Sequence, residues 1–238
     1  MSAVTPDAQH IVEANKAYFD SVAETYDTKP HAIELTRRLA SLFLKAYPFD
    51  EDSTAILDFA CGTGLISQHL TPHAKSIVGV DISPGMVRRY NQRVEQQGLE
   101  PEDMRAVCVG VEADLKDEGN SEGDLTDFED QFDVVVCAAS YHHFPSIEDT
   151  TRQLASVLKA GGTLMVADLL KAEGAEDLYP EHGNNSSLVC HHGGIAEADI
   201  RSAFEAAGLT EMRISVHDIA AKRKGQSVKF FLMLGKRA

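Results

Sequence analysis

The stretch Ile56-Leu57-Asp58-Phe59-Ala60-Cys61-Gly62-Thr63-Gly64-Leu65-Ile66-Ser67 reads as a short apolar strand, a tight glycine turn and the start of a helix. Glycines at 62 and 64 let the backbone turn sharply and approach a ligand closely, and the helix start behind them offers unpaired N–H groups. That is a nucleotide-binding geometry. Asp58 lies inside the strand end, where an unpaired carboxylate is costly to bury, so it is expected to meet a ligand ammonium or the loop's own N–H groups.

Working outward, a second apolar run, Ile77-Val78-Gly79-Val80-Asp81, ends on the position from which an acid reaches both hydroxyls of a ribose. Ser83 and Pro84 then open a helix as N-cap and first-turn proline. Apolar runs at 55–59, 76–80, 104–109, 132–138 and 162–169 alternate with helical stretches at 64–71, 84–97, 146–158 and 196–207. This alternation predicts an α/β, doubly wound domain with a parallel sheet covered on both faces. Helices over 8–26 and 31–47 precede it. At the far end, runs 211–220 and 227–236 are joined by a basic turn too short for a helical crossover, so they must pair antiparallel, giving seven strands.

With 238 residues, 43% hydrophobic and 25% charged, the chain has material for one cored domain, which excludes wholesale disorder, collagen and coiled coil. Lys and Arg number 22 against 37 Asp and Glu, a net charge of −15 that repels phosphate backbones and anionic lipid, so no nucleic-acid partner is expected. No apolar run approaches the roughly 18 residues of a membrane span, no leader-like start is present, and the cytosol is the expected compartment. Cys61, Cys108, Cys137 and Cys190 are expected as free thiols. Residues 112–133 are acid-rich and expected to form a solvated insertion, whereas 171–195, rich in Gly, His and Asn, are expected to cover a ligand. Within them Cys190, His191, His192 and His182 lack the spacing of a metal site, so no metal is expected. Oligomeric state is left open.

The pattern Asp58-x-Ala60-Cys61-Gly62-Thr63-Gly64, followed by Val78-Gly79-Val80-Asp81-Ile82-Ser83-Pro84-x-Met86, resembles the Rossmann-like (class I) S-adenosylmethionine-dependent methyltransferases over most of the chain. Phe19-Asp20-Ser21-Val22-Ala23-x-x-Tyr26-Asp27 resembles the N-terminal segment of the quinone-biosynthesis type of small-molecule methyltransferase. Leu158-Lys159-Ala160-Gly161-Gly162 resembles the family's K-P-G-G turn, and the terminal hairpin is the family's topology. The resemblance implies S-adenosyl-L-methionine as cofactor, S-adenosyl-L-homocysteine as product, and in-line methyl transfer to a small-molecule acceptor. It implies that Asp58 and Ala60, Cys61, Gly62, Thr63 and Gly64 hold the methionine moiety, that Asp81 binds the ribose, and that Ile82 and Met86 lie near the adenine. Within Glu112-Ala113-Asp114-Leu115, Asp114 and Leu115 would reach the adenine edge, with Glu112 competing for that place. Ala138, Ala139 and Ser140 would line the methyl-donating side, and Tyr26, with Tyr18, Phe19 and His31, would belong to a lid.

The same resemblance divides a single domain into a helical lid (1–50), a cofactor-binding core (51–170), an acceptor-side loop (171–195) and a closing helix and hairpin (196–238). Ala60 stands where the family often has glycine and is tolerated if its φ stays negative. Ala160 replaces the usual proline. Ser67 in place of a third glycine counts against the alternative of an NAD(P)-dependent oxidoreductase. A further alternative is a cofactor-binding regulatory module without transfer activity. Displacement at an activated carbon does not demand a base, but an acceptor hydroxyl or ammonium calls for one near neutral pKa. His143 is the first candidate for acceptor contact or base, with Tyr141 and His142 next; Asp168 ends the fifth strand nearby.

Overall fold

A computed structural model describes residues 6–109, 125–171, 188–223 and 226–238. Two helices, α1 (Pro6–Tyr26) and α2 (Pro30–Ala46), precede β1 (Ala55–Phe59), α3 (Leu65–Leu70), β2 (Ser76–Asp81), α4 (Pro84–Gln97) and β3 (Met104–Cys108). After the acid-rich stretch come β4 (Phe132–Ala138), α5 (Ile147–Ser156), β5 (Leu158–Leu169), α6 (Glu197–Ala206), β6 (Leu209–Arg223) and β7 (Gln226–Arg237).

The sheet order is β3-β2-β1-β4-β5-β7-β6, with the first five strands parallel and the last two pairings antiparallel. Chain order reverses between β1 and β4, which leaves a crevice at their carboxyl ends. Successive residues of a strand face opposite sides, so Leu57, Val135, Leu164 and Phe231 pack with α5 and α6, while Ile56, Val134, Val136 and Leu232 pack with α2, α3 and α4. Both layers are needed because every central strand is apolar on both faces.

Local signals place the helix ends. Pro30 opens α2 at its first turn, and the Ser83 hydroxyl accepts from the Met86 N–H at 3.1 Å to cap α4. Gly98, at φ 69°, closes α4 in the left-handed conformation.

Two boundaries differ from expectation. β5 begins at Leu158 rather than 162, because Leu158 pairs with Phe132 before the register shifts to Val134 with Thr163. The expected turn at Lys159–Gly162 is therefore an irregularity inside the strand, with Gly161 at φ 78°. Of the acid-rich stretch, 110–124 lie outside the described residues. Its later part is not all solvated: Leu125 is buried in a single 3₁₀ turn, Leu125–Phe128, and Phe132 starts β4. Among the described residues no helix is long and apolar enough to cross a membrane, and all four cysteines are unpaired.

Candidate active site

A cavity of about 610 Å³ opens over the carboxyl ends of the central strands. One wall is the loop from β1 to α3. Cys61 N–H donates to the Val80 carbonyl at 3.1 Å and Gly64 N–H to the Cys61 carbonyl at 3.0 Å, which folds the loop back on β2. Ala60 and Gly62 both stand at φ 55°. The condition of a negative φ at Ala60 is thus not met: the turn demands the left-handed region from a residue with a Cβ. A Cβ on Gly62 would meet nothing within 4 Å, whereas one on Gly64 would come within 2.7 Å of the Tyr90 ring. Ala60, Cys61, Gly62 and Thr63 line the cavity; Gly64 turns toward Tyr90 and does not.

Asp58, 2% exposed, lines the cavity, and its Oδ2 accepts from the Ser67 hydroxyl at 2.6 Å rather than from the loop N–H groups. Burial raises its pKa to about 7, against the stabilising Ser67 bond and with a further push from Asp81. Ser67, read from sequence as a missing glycine, is therefore the partner that this carboxyl needed. Asp81 sits at the end of β2, its Oδ2 accepting from Gly62 N–H and its Oδ1 from Ser83 N–H, both at 2.9 Å. Burial again pushes the carboxyl up. Ile82, Met86 and Val109 continue this wall as an apolar slot. Glu112, Ala113, Asp114 and Leu115 lie outside the described residues.

Helix α1 closes the top, and two aspartates that sequence reasoning passed over fasten it. Asp20 Oδ1 accepts from the Ser83 hydroxyl at 2.6 Å and from Gly85 N–H at 2.7 Å. Asp27, just past the helix, accepts from the Thr63 hydroxyl and the Arg93 guanidinium, and Arg93 Nε donates to the Thr63 carbonyl at 3.0 Å. Spaced seven residues apart, the two acids lie about two turns from each other, one on each ligand-facing loop. Their positions in the Phe19–Asp27 segment were visible in sequence; their partners, more than 30 residues away, were not. Phe19, Tyr26 and His31 line the cavity, while Tyr18 meets the Phe19 ring edge-on at 5.2 Å and lies outside the lining.

From β4, Ala138, Ala139 and Ser140 enter the lining, Ala139 at φ 53°. The single 3₁₀ turn Tyr141–His143 follows, with three residues per turn, so its side chains point in three directions. Tyr141 is fully buried in the core, its hydroxyl 3.2 Å from the Thr151 hydroxyl, and is absent from the cavity. That corrects its place among the acceptor-facing candidates. His142 and His143 do line the cavity. His142 Nδ1 lies 2.7 Å from Asp168 Oδ1, and Asp168 also accepts from His142 N–H at 3.3 Å and Leu169 N–H at 2.6 Å. Burial works to raise the Asp168 pKa, but His142 and the Leu169 amide hold it below the ordinary carboxylate range. His143 donates from Nδ1 to the Leu188 carbonyl at 2.5 Å, and Phe19 meets its ring edge-on at 5.6 Å. Burial, reinforced by His142, pushes the His143 pKa down to about 4.

The remaining wall is apolar. Leu35 of α2, Leu169 of β5 and Ile219, Val228 and Phe230 of the hairpin form it, with Glu34 and Arg38, joined at 2.6 Å, on the rim. Of the loop 171–195, residues 172–187, His182 included, lie outside the described residues. Cys190 donates from its thiol to the His143 carbonyl at 3.1 Å, and no group of His, Cys, Asp or Glu among the described residues is arranged to hold a metal ion.

A family model described as a methyltransferase domain matches residues 31–212. An uncharacterized methyltransferase of Schizosaccharomyces pombe is 38% identical over 162 residues, which cover 67% of this chain and 55% of that protein. A ubiquinone biosynthesis O-methyltransferase of Coxiella burnetii is 24% identical over 70% of this chain and 66% of its own length. The chain thus matches between about half and two thirds of these relatives. The geranyl diphosphate C-methyltransferase of Streptomyces coelicolor, solved with S-adenosyl-L-homocysteine, superposes with a TM-score of 0.70 over 98% of this chain and 99% of its own at 12% identity, a likeness of fold.

Proposed function

The chain belongs to the class I S-adenosylmethionine-dependent methyltransferases, and on that premise we propose that its cavity holds this cofactor and passes the methyl group to a small molecule seated against the apolar far wall. The carrying observation is that one cavity joins the Ala60–Thr63 loop, the Asp81–Ile82 strand end and the Ala138–Ser140 strand end to an apolar compartment beyond them.

The residues present fit the cofactor. The missing Cβ of Gly62 leaves open space beside the loop, which would receive the methionine part. A carboxylate offers about four lone-pair sites, and those that Asp81 does not use on Gly62 and Ser83 leave capacity for a ribose hydroxyl. Ile82, Met86 and Val109 supply an apolar slot for the adenine. When bound, the cofactor supplies a methyl group activated by its sulfonium charge.

The protein's part is alignment and exclusion of water. Helices α1 and α2 act as the lid, α1 being held by Asp20 and Asp27. His143, neutral at physiological pH, offers a lone pair to an acceptor O–H or N–H. His142, tied to Asp168, positions this strand end and is the second acceptor-side candidate. A small acceptor is supported by the likeness to the ubiquinone biosynthesis O-methyltransferase and by the apolar wall, and the net charge of −15 disfavours nucleic acid. The acidic composition and the unpaired thiols support the cytosol.

Calorimetric titration with S-adenosylmethionine, S-adenosylhomocysteine and NAD tests the reading. Micromolar binding of the first two is expected, weakened by roughly 1.5–3 kcal/mol in Asp81→Ala. Binding of NAD alone would overturn it. Binding without turnover across an acceptor panel would favour a regulatory module.

A further inference from the structure

Three separate elements meet on one carbonyl oxygen at the edge of the cavity. The Leu188 carbonyl accepts from His143 Nδ1 at 2.5 Å and from Asn15 Nδ2 at 3.0 Å. His143 comes from the 3₁₀ turn after β4, Asn15 from the middle of α1, and Leu188 from the chain before α6. Both His143 and Asn15 also line the cavity.

A carbonyl oxygen only accepts, so the nitrogen facing it must carry the hydrogen. The neutral imidazole of His143 therefore has its proton on Nδ1 and its lone pair on Nε2. Among the described residues, no hydrogen bond engages Nε2. In that state the ring offers a lone pair and no proton, which suits a hydroxyl or amine on the methyl acceptor.

Asn15 is 5% exposed and sits within a helix, where asparagine is a poor helix former. Its amide nitrogen reaches the Ile11 carbonyl at 2.9 Å one turn back and the Leu188 carbonyl, 173 residues away in sequence. Its Oδ1 is buried with no partner. An alanine or leucine would fill a helix interior without leaving that acceptor bare. The bond that leaves the helix is the one to Leu188, and it holds in place the group that His143 addresses.

We propose that Asn15 is a positioning residue for His143: by fixing the Leu188 carbonyl it keeps the imidazole in the Nδ1–H tautomer, with the Nε2 lone pair left for the methyl acceptor. The assignment deepens the methyltransferase reading by naming what presents the acceptor-side histidine. It also makes that histidine's state depend on the lid helix.

The test uses the full chain labelled with ¹⁵N-histidine. Long-range ¹H–¹⁵N correlation, with His143→Gln identifying the signal, reads the tautomer directly at neutral pH. Wild type is expected to show His143 as Nδ1–H alone. Asn15→Leu and the near-isosteric Asn15→Asp, which has no amide hydrogen to donate, are both expected to admit the Nε2–H form. In each, an unchanged far-ultraviolet circular dichroism spectrum and cooperative urea unfolding show an intact fold. A wild-type ring protonated on Nε2, or an unchanged tautomer in either folded variant, would overturn the assignment. Failure of the wild type to bind S-adenosylhomocysteine would count against the methyltransferase reading alone, since the tautomer is read without ligand.

Discussion

Asp20 of α1 and Ser83 at the start of α4 form a relay: the Ser83 hydroxyl donates to Asp20 Oδ1 at 2.6 Å while accepting from Met86 N–H at 3.1 Å. One hydroxyl thus caps its own helix and ties the lid to it. Asp20 also takes the Gly85 N–H, one of the donors left unpaired at a helix start. Asp20→Ala would leave these donors without their acceptor. It should lower stability by about 1–3 kcal/mol in urea unfolding and weaken S-adenosylhomocysteine binding. Unchanged values for both would show that α1 is held by other contacts.

Ala60 occupies φ 55°, where a non-glycine residue is strained by about 1–2 kcal/mol. Ala60→Gly relieves that strain but gains freedom in the unfolded chain, so a net stabilisation of up to about 1 kcal/mol is expected. Thermal unfolding of the two proteins side by side checks the sign.

Asp58 carries the clearest pH signature. Its folded pKa of about 7 lies above its ordinary 3.8, so the native state holds the proton more tightly than the unfolded chain. Its contribution to stability is fully present below pH 4 and is lost as pH rises toward 7. Asp58→Asn removes this titration. The variant should therefore show a flatter stability profile than wild type between pH 4 and 7, measured by urea unfolding at fixed ionic strength. Identical slopes would mean that another group carries the dependence.

His143, with its pKa near 4, stays neutral across the working range. If it receives the acceptor's proton, kcat/KM should show no acidic limb attributable to this residue above about pH 5. His143→Ala should then cost about 10²-fold or more in turnover. Cofactor affinity should be preserved. Unaffected turnover would remove His143 from the chemistry.

The alternation of apolar runs carried the fold, since each central strand is buried on both faces and α2, α4 and α5 open on a proline or a capping serine. Asp81 and the glycine loop were legible because their local geometry is set by residues within a few positions. Tyr141 was misplaced for a physical reason: adjacency to two cavity-lining histidines says nothing about direction within a 3₁₀ turn, where the next side chain rotates by a third of a circle. Ser67 looked like an absent glycine, and nothing local marks it as the hydroxyl that Asp58 requires. Asp20, Asp27 and Asn15 act through partners far along the chain, and no periodicity reports such pairings.

The order β1-β4-β5-β7 separates the cavity's two halves onto different pieces of chain. The glycine loop and Asp81 come from the strands on one side of the reversal, while Ile219, Val228 and Phe230 come from the terminal hairpin. On the proposed function, substitutions in the hairpin are expected to reshape the acceptor pocket while the donor half stays as it is. Such a division would let one scaffold diversify its chemistry by varying its last 30 or so residues, and would make those three positions the handles for redirecting it toward a chosen molecule.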